Sequence, residues 1–181
     1  MMPVSWDTFL QKIKQRERII LEKANQIQEL VIDRKKKEDY AIQCYFTYSI
    51  HIARELEEDN LLIGSLHVVN NGDKPLTNPY ICLHFPPDSL FQFSGKYKHK
   101  DTKISIKSPD MWERINEKDN KEQFWLRPMY ETIQPKSSIT FTNFQLKWTS
   151  KEKYTSSLKG FAYCEEVKDG VPALNQIYIS G

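Results

Sequence analysis

Between Trp6 and Val31, apolar side chains return every three or four residues: Trp6, Leu10, Ile13, Ile20, Ala24, Ile27 and Val31. That spacing is the seam of a helix written in heptads, and Glu17 is its one break. Phe9 and Leu30 lie beside the seam and widen it. Ser5 is placed to cap the helix, and Asp7 complements the positive end of its dipole. Neither proline nor glycine occurs from Val4 to Ile63. The charged run RKKKED at residues 34–39 closes the pattern, cations being suited to a helix C-terminus. The prediction is one helix over residues 5–37, about 45–50 Å long at 1.5 Å per residue. A small domain does not need a helix of that length. The seam either packs on its own domain or forms a coiled coil that joins copies of the chain, and its length favours the second.

The period then changes to two. In YAIQCYFTYSIHIA, residues 40–53, Tyr40, Ile42, Cys44, Phe46, Tyr48, Ile50 and Ile52 alternate with smaller or more polar partners. This reads as a long strand with one buried face. Further strands follow at LLIGSLHVVN, YICLHF, LFQFSGKY, KEQFWLRP, SSITFTNFQLKW, SSLKGFAYC and LNQIYIS. About eight short strands separated by turn signals are the mark of an antiparallel sandwich or barrel. The segment VVNNGDKPLTNPYICLHF, residues 68–85, reads as a hairpin between two of them. SPDMWERINEKDN, residues 108–120, fits no strand. Ser108, Pro109 and Asp110 would start a helical turn, or the segment is a long loop over one end of the sandwich. The fold class is therefore α+β, mainly β. Residues 1–38 form the helix and residues 39–181 the sandwich domain.

Two stretches carry a family resemblance. Asn70, Gly72, Asp73, Pro75, Leu76 and Asn78 leave one strand, and Pro135, Ser137, Ser138, Thr140 and Phe141 enter another. Together they resemble the immunoglobulin-like sandwich modules of bacteria, over residues 60–150. The resemblance implies an immunoglobulin-like antiparallel sandwich, and it implies no activity. Physically, Gly72 would supply a positive φ at its turn, Leu76 would plug the end of the core, and Pro79 would limit pairing at a strand entry.

Composition adds limits. The 181 residues carry 26 Lys and Arg against 24 Asp and Glu, a net charge of +2. That balance gives no reason to expect nucleic acid or an anionic membrane as partner. Neither the 34–39 run nor KYKHKDTK at 96–103 has the interleaved aromatics of a stacking platform. Six glycines leave little for a phosphate cradle. The start of the chain has no basic-then-apolar leader pattern, and no apolar run approaches the ~20 residues of a membrane span. Cys44, Cys82 and Cys164 are an odd number at distant positions, which is neither a disulfide framework nor a CxxC zinc pattern. Reduced, structural thiols in a cytoplasmic protein are expected.

Candidate chemistry is sparse. If the turn after the first strand centres near Asp59 and the next loop near Lys74–Pro75, then His51, His67, Cys82 and His84 fall on one sheet face. They could then hold zinc, although polar residues on a less buried face explain the pattern as well. No metal and no cofactor are expected. Cys164 lies beside Glu165 and Glu166, which would raise a thiol's pKa rather than activate it. GxSxG, HExxH and P-loop patterns are absent. The pairs Glu57–Glu58 and Glu165–Glu166 read as solvated surface. Trp125, Trp148, Phe91, Phe93 and Tyr97 read as core. Trp112, in an irregular charged segment, is either a lid on the sandwich end or a contact for a partner.

The expected function is a non-enzymatic binding or assembly protein. The helix seam would mediate self-association or docking, and the sandwich loops would contact a protein partner. A structural part of a phage or secretion particle is one alternative. A carbohydrate-binding or hydrolytic module is another, although carbohydrate is not the expected ligand.

Overall fold

The computed structural model describes residues 6–55, 58–99, 111–117, 119–149 and 153–181, without the side chains of residues 6–9, 12 and 36–38. Ser5, Glu57 and residues 100–110 lie outside the description, and with them the predicted cap, one carboxylate pair, half of KYKHKDTK and the Ser108–Pro109–Asp110 start. The chain divides into two compact units, Met1–Asp39 and Tyr40–Gly181.

The first unit is the helix α1 (Trp6–Asp39), of 34 residues, or about 51 Å at 1.5 Å per residue. It has no helix breaker inside and runs two residues beyond the predicted end. It is not long and apolar enough to cross a membrane.

The second unit is a two-layer β domain. The smaller sheet runs in the order β1 (Ile42–His51), β2 (Asp59–Asn70), β10 (Ser138–Thr149), β5 (Gln92–Ser94). The larger sheet runs β12 (Val171–Pro172), β11 (Thr155–Tyr163), β4 (Tyr80–His84), β8 (Gln123–Pro128), β7 (Trp112–Arg114), β6 (Tyr97–His99), with β13 (Ile177–Ser180) also on β11. A two-stranded piece, β3 (Leu76–Thr77) with β9 (Thr132–Ile133), sits apart. The expected mainly-β class with a long leading helix holds. The pairing is antiparallel except for β6 with β7, which is parallel.

Alternation decides which side chains meet between the sheets. In β2, Asn60, Leu62, Gly64, Leu66, Val68 and Asn70 are all buried, and their neighbours are not. β10 keeps this rule only by breaking it once. Phe141 pairs with Leu66 and Phe144 with Gly64, so one extra residue is inserted between them. Residues three apart would point to opposite faces, but the bulge turns both rings inward, and both are fully buried. Asn143 takes φ 53° at the bulge, a conformation Asn tolerates better than most residues. The Phe144 ring then needs room. A Cβ on Gly64 would lie 2.5 Å from it, and one on Gly160 would lie 2.7 Å from the Phe46 ring. Two glycines, one per sheet, thus make the notches that large rings fill. Phe93 from the smaller sheet meets Phe124 from the larger at 4.5 Å, edge to face.

Four expectations change. The segment 68–85 is not a hairpin. β2 belongs to the smaller sheet and β4 to the larger, so the loop between them crosses layers. Asn70 holds that crossing: its Nδ2 donates to the Lys74 and Ile133 carbonyls at 2.8 and 3.0 Å, and its Oδ1 accepts from the Gly72 amide at 3.0 Å. Gly72 does not take a positive φ, whereas Asn78 does, at 48°. Leu76 does plug the core, fully buried. The expected strand over residues 90–97 is two short strands in different sheets, β5 and β6. The chain changes layer at Gly95, where a Cβ would meet the Phe141 ring at 2.7 Å. Within 108–120, Trp112–Arg114 is strand β7 rather than a helical turn or loop.

Replacing Gly64 with Ala should destabilise the domain by about 1–3 kcal/mol, the usual cost of overpacking a filled core. Thermal melting reads this as a drop of about 2–4 °C per kcal/mol at this chain length. An unchanged melting temperature would show that the Phe144 ring yields freely.

Candidate interaction surfaces

The described side chains of the helix seam are exposed. Ile20 is 66% exposed, Ile27 61% and Val31 59%, and Leu10, Ile13 and Ala24 are exposed as well. Leu30, beside the seam, is 69% exposed. Trp6 lies on the helix, and its side chain is outside the described residues. Burying a Leu- or Ile-sized side chain is worth about 1.5–3 kcal/mol. A row of them open to water is therefore a surface with a strong drive to be covered.

The outer face of the larger sheet carries an aromatic group. Tyr163 pairs with Tyr80 across strands, their rings stacked at 5.0 Å and 3°, and Trp125 lies 5.3 Å from Tyr163. Cys82 points to this outer side, between Phe161 and Trp125 in register. It is nevertheless buried, because rings on both neighbouring strands close over it. Gly170, at φ 75°, lets the following turn press on Tyr163, where a Cβ would come within 2.3 Å.

Polar side chains that read as surface turn out to be tied down. The Glu166 carboxylate accepts from the Thr77 amide at 3.0 Å and from its hydroxyl at 2.6 Å, while Glu165 accepts from Asn78 Nδ2 at 2.5 Å. This pair clamps the loop before β4 to the turn after β11. Desolvation alone would raise the Glu166 pKa, but the Thr77 hydroxyl and amide outweigh it and hold the carboxyl below its ordinary 4.5. Arg114 is buried against Asn116, Glu117 and Asn120, between β7 and β8. Its Nε donates to Asn116 Oδ1 at 3.1 Å, its Nη2 donates to the Glu117 and Asn120 carbonyls, and its guanidinium lies 4.2 Å from the Phe124 ring centre. On the smaller sheet, the His67 ring sits between the Thr47 and Thr140 hydroxyls at 2.8 and 3.1 Å, and it stacks on Tyr45. Desolvation lowers its pKa below 6.5. No short-range sequence signal marks these contacts, since every partner except those of Arg114 is distant along the chain.

Two features that the sequence raises only as candidates, Trp112 and the His/Cys set, take different places in the fold. Trp112 is a core residue, 3% exposed, with its ring edge-on to Phe141 at 5.5 Å. β7 alternates like any strand, and Trp112 falls on its inner face, so it offers no open contact. The set His51, His67, Cys82, His84 does not assemble. His51 pairs with Leu61, and His67 pairs with Tyr45 and Thr140. Cys82 and His84 are in the other sheet. The first turn centres three residues earlier than expected, and the second connection is not a hairpin. Among the described residues, no group of three or more His, Cys, Asp or Glu could hold a metal ion. The three cysteines are free and buried. Burial pushes the thiols of Cys44 and Cys164 up to about 11 and that of Cys82 up to about 12.

No protein-family model matches the sequence, and no curated protein does. Among solved structures, the chain is similar to a Northeast Structural Genomics Consortium target, SoR45, at 9% identity and a TM-score of 0.35, covering 79% of this chain and 89% of that one. It is similar to a cohesin module of a Clostridium perfringens family 33 glycoside hydrolase at 10% identity and a TM-score of 0.38, covering 77% and 96%. It is also similar to a Chromobacterium violaceum family GH18 chitinase at 7% identity and a TM-score of 0.33, covering 72% of this chain and 18% of that one. At these scores none of the three carries an argument about this chain.

Two measurements check the tied-down groups. A carboxyl held below 4.5 contributes stability that is full above that pH and is lost as pH falls through the folded-state value. The stability gap between wild type and Glu166→Gln in urea titrations should therefore be flat above about pH 5 and close in acid; a gap independent of pH would refute the clamp. A thiol reagent should label all three cysteines only on unfolding, so rapid native labelling at pH 8 would contradict their burial.

Proposed function

We propose that this chain is a non-enzymatic assembly protein, in which α1 joins copies of the chain through its heptad seam and the β domain presents surfaces to a protein partner. One observation carries the reading: the seam that the sequence writes in heptads is open to water along Leu10, Ile13, Ile20, Ala24, Ile27 and Val31. Isoleucine at Ile13, Ile20 and Ile27 repeats every seven residues, and β-branched side chains at regular seam positions pack well between helices. The β domain is read as an immunoglobulin-like module, on the Asn70–Asn78 and Pro135–Phe141 motifs and on its two facing sheets. Its three thiols are buried and held protonated, which supports a structural rather than nucleophilic use. Glu165 and Glu166 accept hydrogen bonds from Asn78 and Thr77 of the segment before β4, which supports the same reading for that carboxylate pair. A carbohydrate-binding reading would draw on exposed aromatics, and the Trp112 ring is in the core.

Light scattering on the full chain and on an Ile20→Asp/Ile27→Asp variant tests the proposal. The full chain should have the mass of a dimer or trimer, and the variant that of a monomer with unchanged near-ultraviolet circular dichroism. A monomeric full chain, or an oligomer indifferent to both aspartates, would refute assembly through the seam.

A further inference from the structure

β1 is an edge strand of the smaller sheet, and the domain guards only half of that edge. At the near end, the Leu174 amide donates to the Cys44 carbonyl at 2.9 Å. The Asn175 side chain acts as a one-residue strand: its Oδ1 accepts from the Phe46 amide at 2.7 Å, and its Nδ2 donates to the Phe46 carbonyl at 3.0 Å. These bonds fix which way the backbone groups point. Cys44 and Phe46 face outward, so by alternation Tyr48 and Ile50 do too. Their four amide and carbonyl groups have no partner on that side among the described residues. Tyr48 is 47% exposed and Ile50 46%.

Natural edge strands are blunted by charge, proline or a bulge. This stretch has none of them. Residues 40–53 contain no Lys, Arg, Asp, Glu, Pro or Gly, in a chain that is 28% charged. The β1–β2 register runs without a shift from Ile42 to His51.

We propose that the open half of β1, Thr47–His51, pairs antiparallel with the same segment of a second copy. The blocked and open groups select the register. Outward-facing residues must meet outward-facing residues. Placing Tyr48 opposite Ile50 of the second copy, with Ser49 opposite Ser49, uses all four free groups of each chain. A shift of two residues in either direction leaves free groups unused, and one of the two sets Ile50 against Phe46, whose groups Asn175 already occupies. The selected pairing is two-fold and self-complementary, as a closed dimer contact requires. It also puts an aromatic against a β-branched side chain at both ends, a favourable cross-strand pair. β1 ends at His51, so each copy leaves the lane before reaching the other's Asn175. The smaller sheets of the two copies become one continuous sheet. This contact does not use the helix seam and stands or falls apart from it.

Ser49 provides the test. Ser49 opposite Ser49 is a non-hydrogen-bonded pair, with Cα atoms about 4.5 Å apart, within the range a disulfide spans. The three native thiols are buried and do not compete. Full-length Ser49→Cys under mild oxidation should form a disulfide-linked dimer about tenfold or more faster than Asp88→Cys, an exposed turn control, because pairing raises the effective thiol concentration. Adding Ile50→Lys to Ser49→Cys should remove the excess while circular dichroism stays unchanged. Hydrogen exchange at the Tyr48 and Ile50 amides, which bear no substitution in wild type, should slow as protein concentration rises. Ser49→Cys linking no faster than the control, or exchange that is fast at every concentration, would overturn the pairing. Failure of the helix seam would appear instead in the mass of the Ile20→Asp/Ile27→Asp variant and would leave the cross-linking ratio readable.

Discussion

The single residue inserted into β10 governs the interior. Without it, Phe141 and Phe144 would face opposite sides of the smaller sheet, and one phenyl ring would be left in water. With it, Phe141, Phe144, Leu146 and Trp148 all turn inward. The inserted turn is stabilised by an Asn at positive φ and by the Ser65 hydroxyl accepting from the Asn143 amide at 3.3 Å. Everything facing that strand is sized to it. Gly64 leaves space for Phe144, Phe93 fills the gap towards Phe124, and Trp112 closes on Phe141. A close-packed interior admits one such arrangement, because each ring removed or added is felt by its neighbours.

Much of this was legible in the sequence, for a simple reason. Periodicity reports how a segment meets its immediate surroundings, so the helix seam and every long strand could be read from it. What periodicity does not encode is which neighbour a strand takes. The loop from Asn71 to Pro79 is as long as a hairpin loop and as long as a crossing between layers. The deciding feature is Asn70 bonding to the Ile133 carbonyl, 63 residues away along the chain. Once that loop crosses, His67 and Cys82 cannot share a face, and a four-residue site that looked coherent on paper is divided between two sheets. Trp112 misled for a related reason. A three-residue strand is too short to show a period, and its charged neighbours, Glu113 and Arg114, suggested surface. Yet Arg114 is buried against carbonyls, and Glu113 pairs with Arg127 at 2.5 Å. Charge at a position predicts solvent only when no partner is within reach.

The same contrast separates the exposed features that matter from those that do not. Scattered apolar residues on a surface are ordinary. The helix seam and the open half of β1 differ because each is ordered: one repeats every three or four residues along a rod, the other every two along a strand, with backbone groups aligned beside it. Order of that kind complements a second element of the same type far better than it complements water. The domain itself shows how such an edge is neutralised when pairing is unwanted. Asn175 caps both the amide and the carbonyl of Phe46, and at the Thr77–Asn78 corner Glu166 accepts from the Thr77 amide while Glu165 accepts from the Asn78 side chain. A fold that caps one pair of groups on an edge strand and leaves the next two pairs open, in its longest uncharged stretch, defines where its own protection stops. The surface beyond that point is shaped for another strand.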